Sequence, residues 1–129
     1  MTIIDHLSLG VPDIPAGRRF YDGVLESLGY ACLAATEVFA AYGDGAIQFL
    51  IMTPLDREAA SAGNGAHVCF VAPSPGAVDA FHRIALAGGG ADEGAPGPRP
   101  GYPKPGVYTA FVRDPFGNKL EAIHNGFAT

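Results

Sequence analysis

The feature that most restricts how this chain folds is an internal repeat. Moving along the sequence by 61 positions carries His6 onto His67 (67 − 6 = 61), Pro12 onto Pro73, Phe20 onto Phe81 and Gly29 onto Gly90. Each half reads strand, proline, helix, glycine and further strands. A repeat of this kind means that whatever unit one half forms, the other forms too, and each must bury its apolar face against a neighbour. Beyond the glycines an insertion intervenes, and the last strands align at an offset of 73, which sets Gln48 on Glu121 (121 − 48 = 73). The expected fold class is α+β: two βαβββ modules, about residues 1–55 and 64–126, in a single domain covering 1–129.

Local patterns fill in the modules. Ile3 to Val11 alternates as a strand does, with Ile4, His6, Ser8 and Gly10 on one side. Asp13 is placed to cap a helix from Ala16 to Leu28, whose Phe20, Tyr21, Val24, Leu25 and Leu28 share one face. Short strands are expected at Tyr30–Ala35, Val38–Tyr42 and Ala46–Met52, with Gly43-Asp44-Gly45 as a tight turn. After a connector, Ala66–Ala72 reads as a strand and Pro75–Ala87 as a helix capped by Ser74 and stopped by Gly88 to Gly90. Residues 91–105 read as loop, with five prolines between Pro96 and Pro105. This long segment is either a lid or pocket wall, in which Arg99, Tyr102 and Lys104 face a ligand, or a stiff surface loop or dimer contact. The chain then closes with a hairpin, Tyr108–Arg113 and Lys119–His124, joined by the turn residues Asp114-Pro115-Phe116-Gly117-Asn118.

Composition limits the functional classes. With 48% hydrophobic and 16% charged residues the chain is globular rather than disordered. A net charge of −5 argues against non-specific nucleic-acid binding, which runs on clustered lysine and arginine. No apolar run reaches membrane-spanning length, and the start Met-Thr-Ile-Ile-Asp-His lacks the pattern of a secretion signal. The two cysteines, Cys32 and Cys69, sit in apolar settings and read as buried free thiols, so a cytoplasmic location is expected.

Glu121 carries the chemistry. A carboxylate in mid-strand is costly unless it is exposed or meets a cation. His6, Gln48, His67 and Glu121 occupy matching places in the two halves, so modules facing one another across a pseudo-twofold axis bring them together. Imidazole, carboxylate and amide oxygen form a first shell for Zn²⁺, Ni²⁺, Mn²⁺ or Fe²⁺, and two histidines with one carboxylate are also the ligand set of non-haem iron oxygenases. His82 lies off the repeat on a helix face, and His124 falls on the opposite strand face from Glu121. Arg18 and Arg19 with Glu26, and Asp79 with Arg83, read as solvated helix faces, and Arg113-Asp114 as a pair that orients the hairpin or touches ligand, or else as a solvent-facing turn.

At these residues the sequence resembles the vicinal oxygen chelate superfamily, which includes glyoxalase I, fosfomycin-resistance proteins, extradiol dioxygenases and bleomycin-resistance proteins. The resemblance runs through Ile4-Asp5-His6, Phe20-Tyr21, Leu28-Gly29, Ala66-His67-Val68 and Phe111-Val-Arg-Asp-Pro-Phe-Gly-Asn-Lys-Leu-Glu121. It implies a cupped mixed sheet, a homodimer, and a metal held by His6, His67 and Glu121. Gln48 stands where bacterial-type glyoxalase I has a glutamate, and an amide cannot act as base. The activity implied is that of a metal-dependent enzyme on a small oxygenated substrate, most like a glyoxalase (lactoylglutathione lyase), with Glu121 as ligand and base. The alternatives implied are a metal-free binding protein of the bleomycin-resistance kind and an extradiol dioxygenase.

Overall fold

A computed structural model describes residues 3–129. Two modules of the same design follow one another. The first consists of β1 (Leu7–Gly10), α1 (Ile14–Glu26), β2 (Ala31–Ala35), β3 (Phe39–Gly43) and β4 (Phe49–Met52); the second of β5 (Val68–Val71), α2 (Pro75–Ala87), β6 (Ala91–Pro98), β7 (Tyr108–Arg113) and β8 (Lys119–His124). Each builds a four-stranded mixed sheet, in the orders β1-β4-β3-β2 and β5-β8-β7-β6. In both, the first strand runs parallel to the last, and the remaining pairs are antiparallel. The duplicated βαβββ expectation is thus the observed architecture.

The helices form where capping and apolar spacing coincide. Asp13 accepts the Ala16 N–H at 2.8 Å, and Ser74 accepts that of Ala77 at 3.1 Å, so each helix starts on a satisfied donor. Helix α1 buries Ile14, Gly17, Phe20, Tyr21, Val24 and Leu25; α2 buries Val78, Phe81 and Ala85. Each stripe packs on its own sheet, and a run of rings joins the two halves: Phe20 to Tyr21 at 5.0 Å, Tyr21 to Phe49 at 5.5 Å, and Phe49 to Phe70 at 5.0 Å. Phe49 and Phe70 belong to different modules, so the core is shared.

Three local expectations change. Residues 91–98 are not loop but strand β6, paired antiparallel with β7. Proline is tolerated there because β6 is the outer strand of its sheet, and irregularities after Asp92 and Gly94 absorb the mismatch. The turn after β3 is longer than a tight hairpin and runs to Gln48, whose N–H donates to Tyr42 O at 2.9 Å. A side chain at Gly43 would have its Cβ 1.7 Å from Ala46 O, so only glycine lets this loop fold back so closely. The third change is register. Leu7 pairs with Phe49 and Val68 with Leu120, so the last strands correspond at 71 (120 − 49 = 71), not 73. Leu50, not Gln48, therefore occupies the place of Glu121.

The ion pairs read from helix spacing also differ. Arg18 bridges Asp22 at 3.1 Å rather than Glu26, and Asp79 accepts the Tyr108 hydroxyl at 2.6 Å. His82 is turned inward enough to reach Asp92 at 2.8 Å, which holds that carboxyl below its ordinary range. Asp114 is not a solvent-facing residue; it is 3% exposed. Its Oδ1 accepts the backbone N–H groups of Phe116 and Asn118 at 2.9 and 2.8 Å, and its Oδ2 accepts the Tyr21 hydroxyl at 2.5 Å and Asn118 Nδ2 at 2.8 Å. Burial, followed by the charge of Asp114, raises the Tyr21 phenol well above its ordinary range, so the hydroxyl keeps its proton and donates it.

Removing this carboxylate strands several buried donors at once. Asp114→Ala is expected to lower the unfolding free energy by about 3–5 kcal/mol and Tyr21→Phe by about 1–2 kcal/mol. Urea titration of the two variants measures the difference; equal, small losses would remove Asp114 from its place as the joint between modules.

Candidate functional site

On β8, Leu120 and Ala122 are fully buried toward α2, which leaves Glu121 on the opposite, concave face of the second sheet. Its neighbours in register are Cys69 on β5 and Phe111 on β7. His67, two residues before Cys69, shares that face, and its Nε2 lies 3.2 Å from Glu121 Oε1. The other carboxylate oxygen is 2.6 Å from Thr109 Oγ1, whose hydroxyl also lies 2.7 Å from Ala122 O. Glu121 is 5% exposed and Thr109 is completely buried. A carboxylate taken out of water in this way needs its oxygens engaged, and each has one partner.

Aromatic and sulfur groups surround the pair. The Phe111 ring lies 6.0 Å from that of His67, with Lys119 Nζ 5.2 Å from its centre. Neither thiol is buried as expected: Cys32 is partly exposed and Cys69 exposed. Desolvation around the Cys69 sulfur, and then the Glu121 charge, raise its thiol above the ordinary value, so it stays protonated beside the carboxylate. The Tyr102 phenol is raised by burial first and by Glu121 second, which brings the proline-rich segment within electrostatic reach of the site. Tyr102 packs on Phe127 at 5.4 Å. The Arg99 guanidinium folds back on its own segment, donating to the carbonyls of Ala95, Gly97 and Pro98 at 2.9, 3.0 and 3.2 Å. Lys104 donates to Gly126 O and Thr129 O at 2.7 and 2.5 Å.

Two of the four residues aligned by the repeat are brought together, and two are not. His6 is more than half exposed, and its Nδ1 faces Asp5 Oδ1 at 2.6 Å. Gln48 is exposed on the loop before β4. Among the described residues, no three histidine, cysteine, aspartate or glutamate side chains are grouped as a metal would need. His124 is turned away from Glu121, with its Nδ1 3.3 Å from Ala72 O.

Comparison with known proteins follows the same outline. Residues 3–122 match the family model of the glyoxalase/bleomycin resistance protein/dioxygenase superfamily. The chain belongs to that superfamily. A solved glyoxalase/bleomycin resistance protein from Albidiferax ferrireducens is 36% identical, superposes with a TM-score of 0.87, and is matched over 97% of this chain and 100% of its own. A glyoxalase-related enzyme from Fulvimarina pelagi (19% identity, TM-score 0.73, 97% and 89% covered) shares the fold. So does a lactoylglutathione lyase from Agrobacterium tumefaciens (21%, 0.65, 97% and 95%). No curated protein matches the chain in sequence. Among the described residues, no helix is long and apolar enough to cross a membrane.

Superfamily membership directs attention to the residues that support Glu121, which patterns along the sequence do not single out. Thr109 carries one sequence signal: it shares a strand face with Phe111, two residues away. Cys69, read as mere packing, is the register partner of Glu121. Asp5 adjoins His6 in sequence, and the contact follows from that adjacency. Thr109→Val, which keeps shape and loses the hydroxyl, is expected to cost about 1–2 kcal/mol of stability, while Thr109→Ser costs less than half of that. Thermal or urea unfolding of the pair decides it; equal losses would show that the methyl group, not the hydroxyl, matters.

Proposed function

We propose that this superfamily member is a metal-dependent enzyme acting on a small oxygenated substrate, with glyoxalase-type lyase chemistry as the nearest kind. The observation that carries the reading is the His67–Glu121 pair: an imidazole nitrogen and a carboxylate oxygen at 3.2 Å on a concave sheet face, with the second carboxylate oxygen held by a buried hydroxyl. This donor set suits a divalent ion such as Zn²⁺, Ni²⁺, Mn²⁺ or Fe²⁺, and the Thr109 contact is of the type that orients a metal-bound carboxylate. When bound, such an ion supplies Lewis-acid polarisation of a substrate oxygen. Glu121 provides the carboxylate for proton transfer, and Tyr102 and Arg99 form the wall from which a substrate is contacted.

Two donors do not complete a shell. The missing imidazole is His6 of a second copy of the chain in a homodimer. Asp5 holds His6 Nδ1, which leaves Nε2 as the outward nitrogen, and a carboxylate behind a histidine is the usual support of a metal ligand. Phe127, outside that pair, is 61% exposed, an apolar side chain suited to burial between copies. Gln48 serves as a hydrogen-bonding side chain rather than a base. A second reading, a metal-free binding protein, draws on the same fact that one chain groups only two donors.

Metal analysis of protein purified without chelator separates the two. The enzyme reading expects stoichiometric metal that is lost in His67→Ala, in Glu121→Ala and in His6→Ala. Mixing His6→Ala with His67→Ala chains is expected to restore roughly a quarter of the sites, because random pairing yields one intact site in each mixed dimer. A native protein without metal would favour the binding protein. Metal without turnover of the methylglyoxal–glutathione adduct would retain chelate chemistry and remove that substrate.

A further inference from the structure

The second module's sheet ends on β5 and the first module's on β1, and residues of these two edges line a half-open cavity of about 570 Å³. That volume lies within the roughly 300–1,000 Å³ typical of small-molecule pockets. Its floor is apolar and firmly packed: Leu25, Tyr42, Phe49 and Phe70 are all buried. The two phenols on its walls have their hydroxyls committed elsewhere, Tyr30 to Val71 O at 2.6 Å and Tyr42 to Asp22 at 2.6 Å, so they offer rings to the cavity. Among the described residues no lysine, arginine or histidine lines it, and the one acid among them, Asp5, is engaged by His6. Gln48 and Cys69 supply the remaining polar side-chain atoms.

We propose that this cavity binds the body of an uncharged, largely apolar ligand, a flat aromatic or alicyclic group, with its polar end toward Gln48 and Cys69. A buried anion needs a cation or several donors, and among the described residues the walls provide no cationic side chain. The chain's net charge of −5 adds a further bias against anions. Aromatic walls favour planar rings through stacked and edge-on contacts. Gln48 thereby acquires a role that a metal ligand set does not give it: an amide can both donate to and accept from a neutral polar substituent. Cys69 lines the cavity and pairs in register with Glu121, so a ligand seated there directs its polar end to the face that carries the His67–Glu121 pair. That last step alone rests on the proposed metal site; occupation of the cavity does not.

Two probes of one skeleton make the test: N-phenyl-1-naphthylamine, which is uncharged, and 1-anilinonaphthalene-8-sulfonate, which carries a sulfonate. Fluorescence titration in the presence of a chelator is expected to show saturable binding of the neutral probe, one per cavity, at least tenfold tighter than that of the sulfonate. Val71→Trp fills the cavity from a position 45% exposed in the native chain, so the fold tolerates it, and is expected to weaken the neutral probe at least tenfold. Ile4→Arg, 59% exposed at the mouth, is expected to narrow or reverse the preference by admitting the sulfonate. No saturable binding, tighter binding of the sulfonate by the native protein, or indifference to Val71→Trp overturns the proposal. So does a Val71→Trp variant that loses only its association with a second copy, because the cavity wall is then an interface. Since chelator is present throughout, loss of the metal-site reading leaves these outcomes unchanged.

Discussion

One buried carboxylate joins the halves of this protein. Asp114 begins the turn between β7 and β8, where a short polar side chain closes the turn on its own backbone, accepting the N–H groups of Phe116 and Asn118. The turn needs Gly117 at φ +95, a backbone conformation that a side chain strains. What makes Asp114 more than a turn residue is its second oxygen. This oxygen accepts the hydroxyl of Tyr21 from the first module, and Asn118 reaches on to Gly10 O at 3.1 Å. A local turn is thus also a long-range tie, and the strand it launches is the strand that carries Glu121.

The placement of Glu121 follows from that tie. With β8 anchored at its start, alternation sends Leu120 and Ala122 into the core and Glu121 to the concave face. Among the described residues no buried side-chain nitrogen or oxygen lacks a partner. Glu121 is satisfied by His67 on one oxygen and Thr109 on the other, so the folded chain bears the carboxylate without an ion. The same two contacts fix which oxygen faces outward and which is held from behind. Pre-orientation of this type is what a binding or catalytic carboxylate requires, since a side chain free to turn would lose order on each binding event.

Much of this was legible in the sequence, for reasons particular to each element. The helices were, because Asp13 and Ser74 are capping residues set before apolar stripes of helical period, and tertiary packing has no cause to oppose them. The His67–Glu121 pairing was legible through the family resemblance, whereas the repeat set Glu121 against Gln48, an alignment that the strand register moves to Leu50. Strand β6 was not. Its prolines signal loop, and only the knowledge that it lies at an outer edge, a tertiary fact, allows strand and proline together. The register of β4 was also hidden, because the fold-back permitted by Gly43 lengthens the loop without changing the apolar run that follows. Thr109 and Cys69 were not visible as site residues because their importance comes from cross-strand pairing with Glu121, and pairing partners are not written along the chain.

The corrected register explains why the two modules, alike in fold, differ in chemistry. The counterpart of Glu121 is Leu50, that of Cys69 is Ser8 (69 − 8 = 61), and that of Thr109 is Phe39, which faces Met52 as Thr109 faces Ile123. The concave face of the first module therefore carries Leu50, Phe39 and Ser8, with no carboxylate, where that of the second holds a supported one. Duplication supplied the same strands twice, and the polar constellation is present on one copy only. His6 is the exception: it keeps the place of His67 at the head of its module but has no carboxylate opposite it on its own sheet. Its Nδ1 is occupied by Asp5, and its side chain is 58% exposed. The asymmetry between modules thus lies in side chains and not in strands: the same pairing register presents Glu121 on one sheet and Leu50 on the other.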